Sequence, residues 1–128
     1  MIFPFIEIKQ TLNKGLGVFA TNDIAEGTLI EISPVIVLSP KDTKVIDDTH
    51  LYNYYFSWEN DQKSSAIALG YVSIYNHQVD ANCVYETYFE DKEIRIISRK
   101  KILKGEELTI NYNHDPMSEK KTWFEVEE

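Results

Sequence analysis

Cysteine is almost missing from this chain. Cys83 is the only one in 128 residues, so no internal disulfide can form and no Cys/His framework for a metal exists; the usage agrees with a reducing compartment. Positive charge is also scarce, with 13 Lys and Arg against 21 Asp and Glu and a formal net charge of −8. That balance argues against a general affinity for nucleic acid, which needs cations clustered toward the phosphates. A cationic partner is easier to accommodate. The one basic run, Arg99-Lys100-Lys101 with Lys104, is short and reads as a solvated edge or turn. Long apolar runs are lacking too. The opening Met1-Ile2-Phe3-Pro4-Phe5 has no basic leader region, and no later stretch approaches the length needed to cross a bilayer. The expectation is a soluble protein with no metal, no membrane partner and no direct contact with nucleic acid.

With 43% hydrophobic residues, the chain suits one compact domain spanning 1–128 that buries a core without staples. Strand signals dominate. Phe5 to Lys9 alternates, Thr28 to Ile32 and Val35 to Leu38 are β-rich, and Cys83 to Phe89 and Glu93 to Ser98 flank the turn formers Asp91 and Lys92. Pro34 and Pro40 are expected to bound a short central strand, and a helical turn or two between Pro40 and Trp58 would be capped by Asp47 or Asp48. A faint internal echo joins Ile24–Ile32 to Ile102–Ile110, each placing a glycine before a strand. The pattern alone predicts a small, mostly β domain with little helix.

Three polar signatures stand out in order along the chain: Gly15-Leu16-Gly17-Val18-Phe19-Ala20, then Asn76-His77-Gln78-Val79-Asp80-Ala81-Asn82, then Gly105-Glu106-Glu107-Leu108-Thr109-Ile110-Asn111-Tyr112. Read singly, each has an ordinary explanation. The glycine pair could be a hairpin turn, and it is no Rossmann fingerprint because the third glycine and the strand–turn–helix setting are missing. Asn-His pairs are usually turns. Glu106 and Glu107 are strand neighbours that point to opposite faces, so they read as structural carboxylates binding backbone or basic side chains.

Together and in this order the three resemble the motifs of the SET-domain protein lysine methyltransferases, of the minimal stand-alone bacterial or viral type, over about residues 7–112. The resemblance implies a β-clip-like fold of several small sheets with a C-terminal pseudoknot. It implies S-adenosylmethionine as methyl donor and, as partner, a protein with an exposed lysine such as a histone tail. Tyr112 matches the catalytic tyrosine. Gly15, Leu16, Gly17, Asn76 and His77 match positions around the cofactor, while Tyr54, Tyr75 and Ile110 fall on the side that receives the lysine. Asn82 matches a residue tying the threaded segments together. No cysteine follows Tyr112, so the tail 113–128 must complete the site through Trp123 and Phe124 over the adenine, or a second subunit in a homodimer must do so. The implied location is the cytoplasm, or a host nucleus for a viral or secreted form. The rival reading is a non-catalytic SET-like module that binds basic tails.

Overall fold

The computed structural model describes residues 1–58 and 63–112; the tail with Trp123 and Phe124 lies outside the described residues. Among these residues nine strands form two sheets. In chain order they are β1 (Ile6–Gln10), β2 (Leu16–Ala20), β3 (Leu29–Leu38), β4 (Phe56–Trp58), β5 (Ser64–Ala68), β6 (Asn76–His77), β7 (Cys83–Tyr88), β8 (Glu93–Ser98) and β9 (Glu107–Ile110). One sheet has the order β4-β5-β3-β8-β7 and the other β1-β2-β9-β6. Among the described residues helix is confined to α1 (Pro40–Ile46) and the short 3₁₀ turns His50–Asn53 and Val72–Ile74. Among the described residues no helix is long and apolar enough to cross a membrane.

The expected break at Pro34 does not occur, because β3 runs through it as a single strand. Leu29 to Pro34 pairs with β8 and Val35 to Leu38 pairs with β5. Proline is tolerated in a strand only where no ladder bond is required of its missing N–H. Pro34 stands where the partner changes, and its carbonyl still accepts from the Leu69 N–H at 2.9 Å.

The helix caps also differ from expectation. Ser39 caps α1, accepting from the Asp42 N–H at 3.1 Å, with Pro40 in the first turn where its missing donor costs nothing. Thr49 caps the next turn by accepting from the Leu51 N–H at 3.2 Å. Asp47 lies at the C-terminal end of α1, where its carboxylate accepts from the Tyr55 hydroxyl at 2.7 Å.

The sequence echo has a spatial counterpart. Ile24 and Ile102 exchange backbone hydrogen bonds at 2.7 and 2.9 Å. Three residues on, Gly27 (φ 80°) and Gly105 (φ 90°) turn the chain through the left-handed region that glycine enters without steric cost. Two matching turns thus deliver β3 into the five-stranded sheet and β9 into the four-stranded one.

The fully buried core joins both sheets through Val18, Ile30, Trp58, Ile94, Ile96, Ile102, Leu108 and Ile110. β9 is inserted between β2, to which it runs antiparallel, and β6, to which it runs parallel. Asn82 latches it: its amide nitrogen donates to the Glu107 carbonyl and its oxygen accepts from the Thr109 N–H, both at 2.9 Å. The basic run grips the same loop. Arg99 donates to the Ala81 carbonyl at 2.9 Å and pairs with Asp80, and Lys100 reaches Asp80 at 2.8 Å. Arg99 and Lys100 are therefore tied to the loop that holds β9.

Candidate active site

The site lies where the ends of β2, β6 and β9 converge, and Tyr112 follows β9 directly. Its backbone N–H donates to Nδ1 of His77 at 3.0 Å. Its carbonyl accepts from the Tyr85 hydroxyl at 3.3 Å, and its own hydroxyl donates to the Tyr75 carbonyl at 2.9 Å. The His77 ring packs against the phenol with centroids 5.0 Å apart. An imidazole whose Nδ1 accepts a hydrogen bond carries its proton on the other nitrogen, so His77 is neutral in this arrangement.

Held this way, the phenol is half-buried and shielded from bulk solvent. Burial first, and the negative charge of Glu107 next, push its pKa up to about 12. Tyr112 therefore keeps its proton at neutral pH and is a hydrogen-bonding dipole rather than a nucleophile. Because the proton is aimed at Tyr75, the lone pairs of the oxygen turn away from that carbonyl. A partial negative charge fixed in a partly dry pocket suits an electron-poor centre.

The glycine motif enters from the other side. Gly15 adopts φ 75° and its carbonyl accepts from the Thr11 N–H at 2.7 Å, closing the turn into β2. Leu16 is half exposed, and its carbonyl accepts from Nδ2 of Asn76 at 3.1 Å. The same nitrogen donates to Oε2 of Glu107 at 2.7 Å. A Cβ on Gly17 would sit 2.6 Å from that carboxylate oxygen and 3.1 Å from the Asn76 nitrogen. The space that Gly17 leaves is therefore filled by Glu107, Thr11 and Asn76. The motif's second glycine is needed for a protein–protein contact inside the site, beyond any approach of a cofactor.

The residues assigned to the lysine side are placed differently from one another. Tyr54 is 41% exposed at the end of its 3₁₀ turn and lies near enough to Tyr112 to contribute to the upward push on its phenol. Tyr75 has no exposed surface; its hydroxyl donates to Oε1 of Glu31 at 3.2 Å, and it reaches Tyr112 through its carbonyl alone. Ile110 is likewise fully buried, in the core. Tyr85 and Glu31 escaped the sequence reading, and Glu107 was read only as a structural carboxylate. Tyr85 holds the Tyr112 carbonyl, and inward alternation along β7 was its only signal. Glu107 faces Asn76 across the site. Glu31 is buried without exposure and accepts from the Tyr71 N–H at 2.7 Å as well as from Tyr75. Nothing in a β-rich segment marks a carboxylate as core. Among the described residues no group of His, Cys, Asp and Glu is arranged to hold a metal ion.

A phenol set against the histidine of an Asn-His strand, just past a strand that pairs with both that one and a glycine-bearing one, is the arrangement expected of the SET class of domain. The SET domain family model matches residues 15–113, and the chain belongs to that family. It is 32% identical over 123 residues to the Schizosaccharomyces pombe histone-lysine N-methyltransferase specific for H3 lysine-37, covering 95% of this chain and 78% of that protein. It is 35% identical to the human histone-lysine N-methyltransferase 2D over 80% of this chain but only 2% of that much longer protein. Among solved structures, a Plasmodium falciparum protein described as a histone methyltransferase superposes with a TM-score of 0.72, covering 89% of this chain and 97% of that one. At 24% identity, this last likeness speaks for the fold alone.

Proposed function

We propose that this chain is a protein lysine N-methyltransferase that takes its methyl group from S-adenosylmethionine and acts on a lysine of a histone or another basic protein. The observation that carries it is the state of Tyr112: neutral, tethered through backbone N–H, carbonyl and hydroxyl, and set against the His77 ring. The family uses S-adenosylmethionine, and the donor set fits it. Asn76 directs both amide protons inward and thereby offers an oxygen, while Glu107 adds negative charge beside it, as a ligand bearing an ammonium and a sulfonium requires.

When bound, the cofactor supplies a methyl group made electrophilic by the sulfonium. The residues supply the rest. A lysine must arrive as a neutral amine although its free pKa is about 10.4, and desolvation among Tyr54, Tyr112 and the neighbouring aromatics lowers that value. Tyr112 orients the reacting centre through its oxygen and exchanges no proton in the transfer. Alignment and exclusion of water then provide most of the acceleration. Tyr54, the Tyr75 carbonyl and Ile110 are assigned to the lysine side, and Gly15, Leu16, Gly17, Asn76 and His77 to the cofactor side. The net charge of −8 favours a basic substrate.

Incubation of the purified chain with labelled S-adenosylmethionine and a panel of histones and other basic proteins, read by mass spectrometry, tests this directly. Label on a lysine is the expected result. Cofactor binding with no transfer to any lysine would favour the non-catalytic module instead.

A further inference from the structure

Glu107 brings negative charge to the site, and it also touches the asparagine of the cofactor side. It lies on β9 opposite Phe19 of β2. Leu108 and Ile110 of the same strand are fully buried in the core, so Glu107 lies with Thr109 on the strand's other face. Its Oε2 accepts from Nδ2 of Asn76 at 2.7 Å, and the Leu16 carbonyl accepts from the same nitrogen at 3.1 Å.

A side-chain amide has two donor hydrogens and one acceptor oxygen. Here both hydrogens are directed at protein oxygens, one of them charged. A flipped Asn76 would press its Oδ1 against a carboxylate and a carbonyl, an arrangement with lone pairs on every side and no proton between them. The amide is thus locked in one orientation. What it can show a ligand is Oδ1, an acceptor with a negative neighbour, and the matching ligand group is a cationic donor. Gly17 maintains the lock by leaving the room that a Cβ, 2.6 Å from Oε2, would take away.

We infer that Glu107 is a positioning residue for the methyl donor: it holds Asn76 so that Oδ1 receives the α-ammonium of the cofactor's amino-acid end. The inference rests on the cofactor reading above and goes beyond it in naming the residue that sets the polarity of that subsite. The α-ammonium is present both in S-adenosylmethionine and in the S-adenosylhomocysteine left after transfer, so the stable product is a suitable probe.

The test is calorimetric binding of S-adenosylhomocysteine, and of its analogue lacking the α-amino group, to the full chain and to Glu107→Ala, Glu107→Gln and Gly17→Ala. Loss of the lock should weaken S-adenosylhomocysteine roughly tenfold to a hundredfold in Glu107→Ala, in keeping with hydrogen bonds to charged groups, and leave the deamino analogue within about twofold. Glu107→Gln, which keeps an acceptor for Nδ2 but not the charge, should fall between. Gly17→Ala should reproduce the loss by displacing a flexible carboxylate without removing it. Equal weakening of both ligands in Glu107→Ala, or of neither, overturns the inference while the cofactor reading stands. Failure of the unaltered chain to bind either nucleoside overturns both.

Discussion

In the five-stranded sheet two of the four pairings join chain neighbours, β4–β5 and β7–β8, whereas in the four-stranded sheet only β1–β2 does and β9 and β6 come from far along the chain. In the first, β7 and β8 form a hairpin with a continuous register from Cys83–Ser98 to Tyr88–Glu93, and β4 pairs with the next strand, β5. In the second, β9 lies between β2 and the two-residue β6. The first buries Trp58, Ile30, Ile94 and Ile96. The second carries Leu16, Gly17, Asn76, His77 and Glu107, and releases Tyr112 at its end. The motif residues gather where pairing is non-local, while the first sheet holds the largest fully buried side chain, Trp58. The difference teaches that a reactive constellation can be built from weak local elements when a well-packed neighbour pins them.

If the two sheets divide their labours in this way, each can be damaged while sparing the other. The largest effect should come from Trp58→Ala, which empties a fully buried site whose ring packs edge-on against Phe89 at 5.0 Å. A loss of about 3–5 kcal/mol is expected in denaturant unfolding, with the affinity of the folded fraction for cofactor unchanged. Next, Tyr112→Phe should lower kcat by roughly 10²–10³, the effect of removing one preorganised polar group, while the unfolding midpoint barely moves. A midpoint that collapsed with an intact rate would reverse the proposed division.

Asn82→Ala probes the seam between the regions. It strips partners from the Glu107 carbonyl and the Thr109 N–H, so a loss of about 1–3 kcal/mol is expected. Cofactor affinity should fall with it, since β9 carries the site. Unaltered affinity would show that the latch serves stability alone.

The smallest effect concerns Glu31, whose carboxyl is pushed above its ordinary value of 4.5, by burial first and against the pull of the Tyr71 and Tyr75 hydrogen bonds. A group that holds its proton more tightly when folded stabilises most below its unfolded pKa, and that stabilisation is lost as pH rises through the folded one. Relative to Glu31→Gln, the unaltered chain should therefore lose stability as pH climbs from 4.5 toward the raised value. A gain over the same window would mean that the fold solvates the carboxylate better than water does.

How much was legible follows the same divide. The β7–β8 hairpin could be read from Cys83–Phe89, Glu93–Ser98 and the turn formers between them, because period-two alternation and turn chemistry are local signals. Asn82 as a tie and Glu106 as a backbone binder, accepting from the Leu103 N–H at 2.7 Å, were readable from family spacing and strand geometry. Pro34 was misread as a boundary since no local rule reveals that a strand changes partners at one residue. Asp47 was misread as a cap because Ser39 and Thr49 offered competing hydroxyls, and tertiary packing chose between them. Tyr85 and Glu31 were invisible: a residue one strand away in space carries no mark of it in the chain.

Composition and pattern by themselves determined a mostly β chain with no disulfide and an acidic balance, and the ordered motifs determined which polar residues would matter. Only the tertiary structure decided that Gly17 makes room for Glu107, that Asn76 turns its oxygen outward and that the Tyr112 hydroxyl is aimed at the Tyr75 carbonyl. Each of these depends on atoms brought within about 3 Å from positions far apart in sequence. Hydrogen bonding and desolvation act over such distances in space and are blind to separation along the chain.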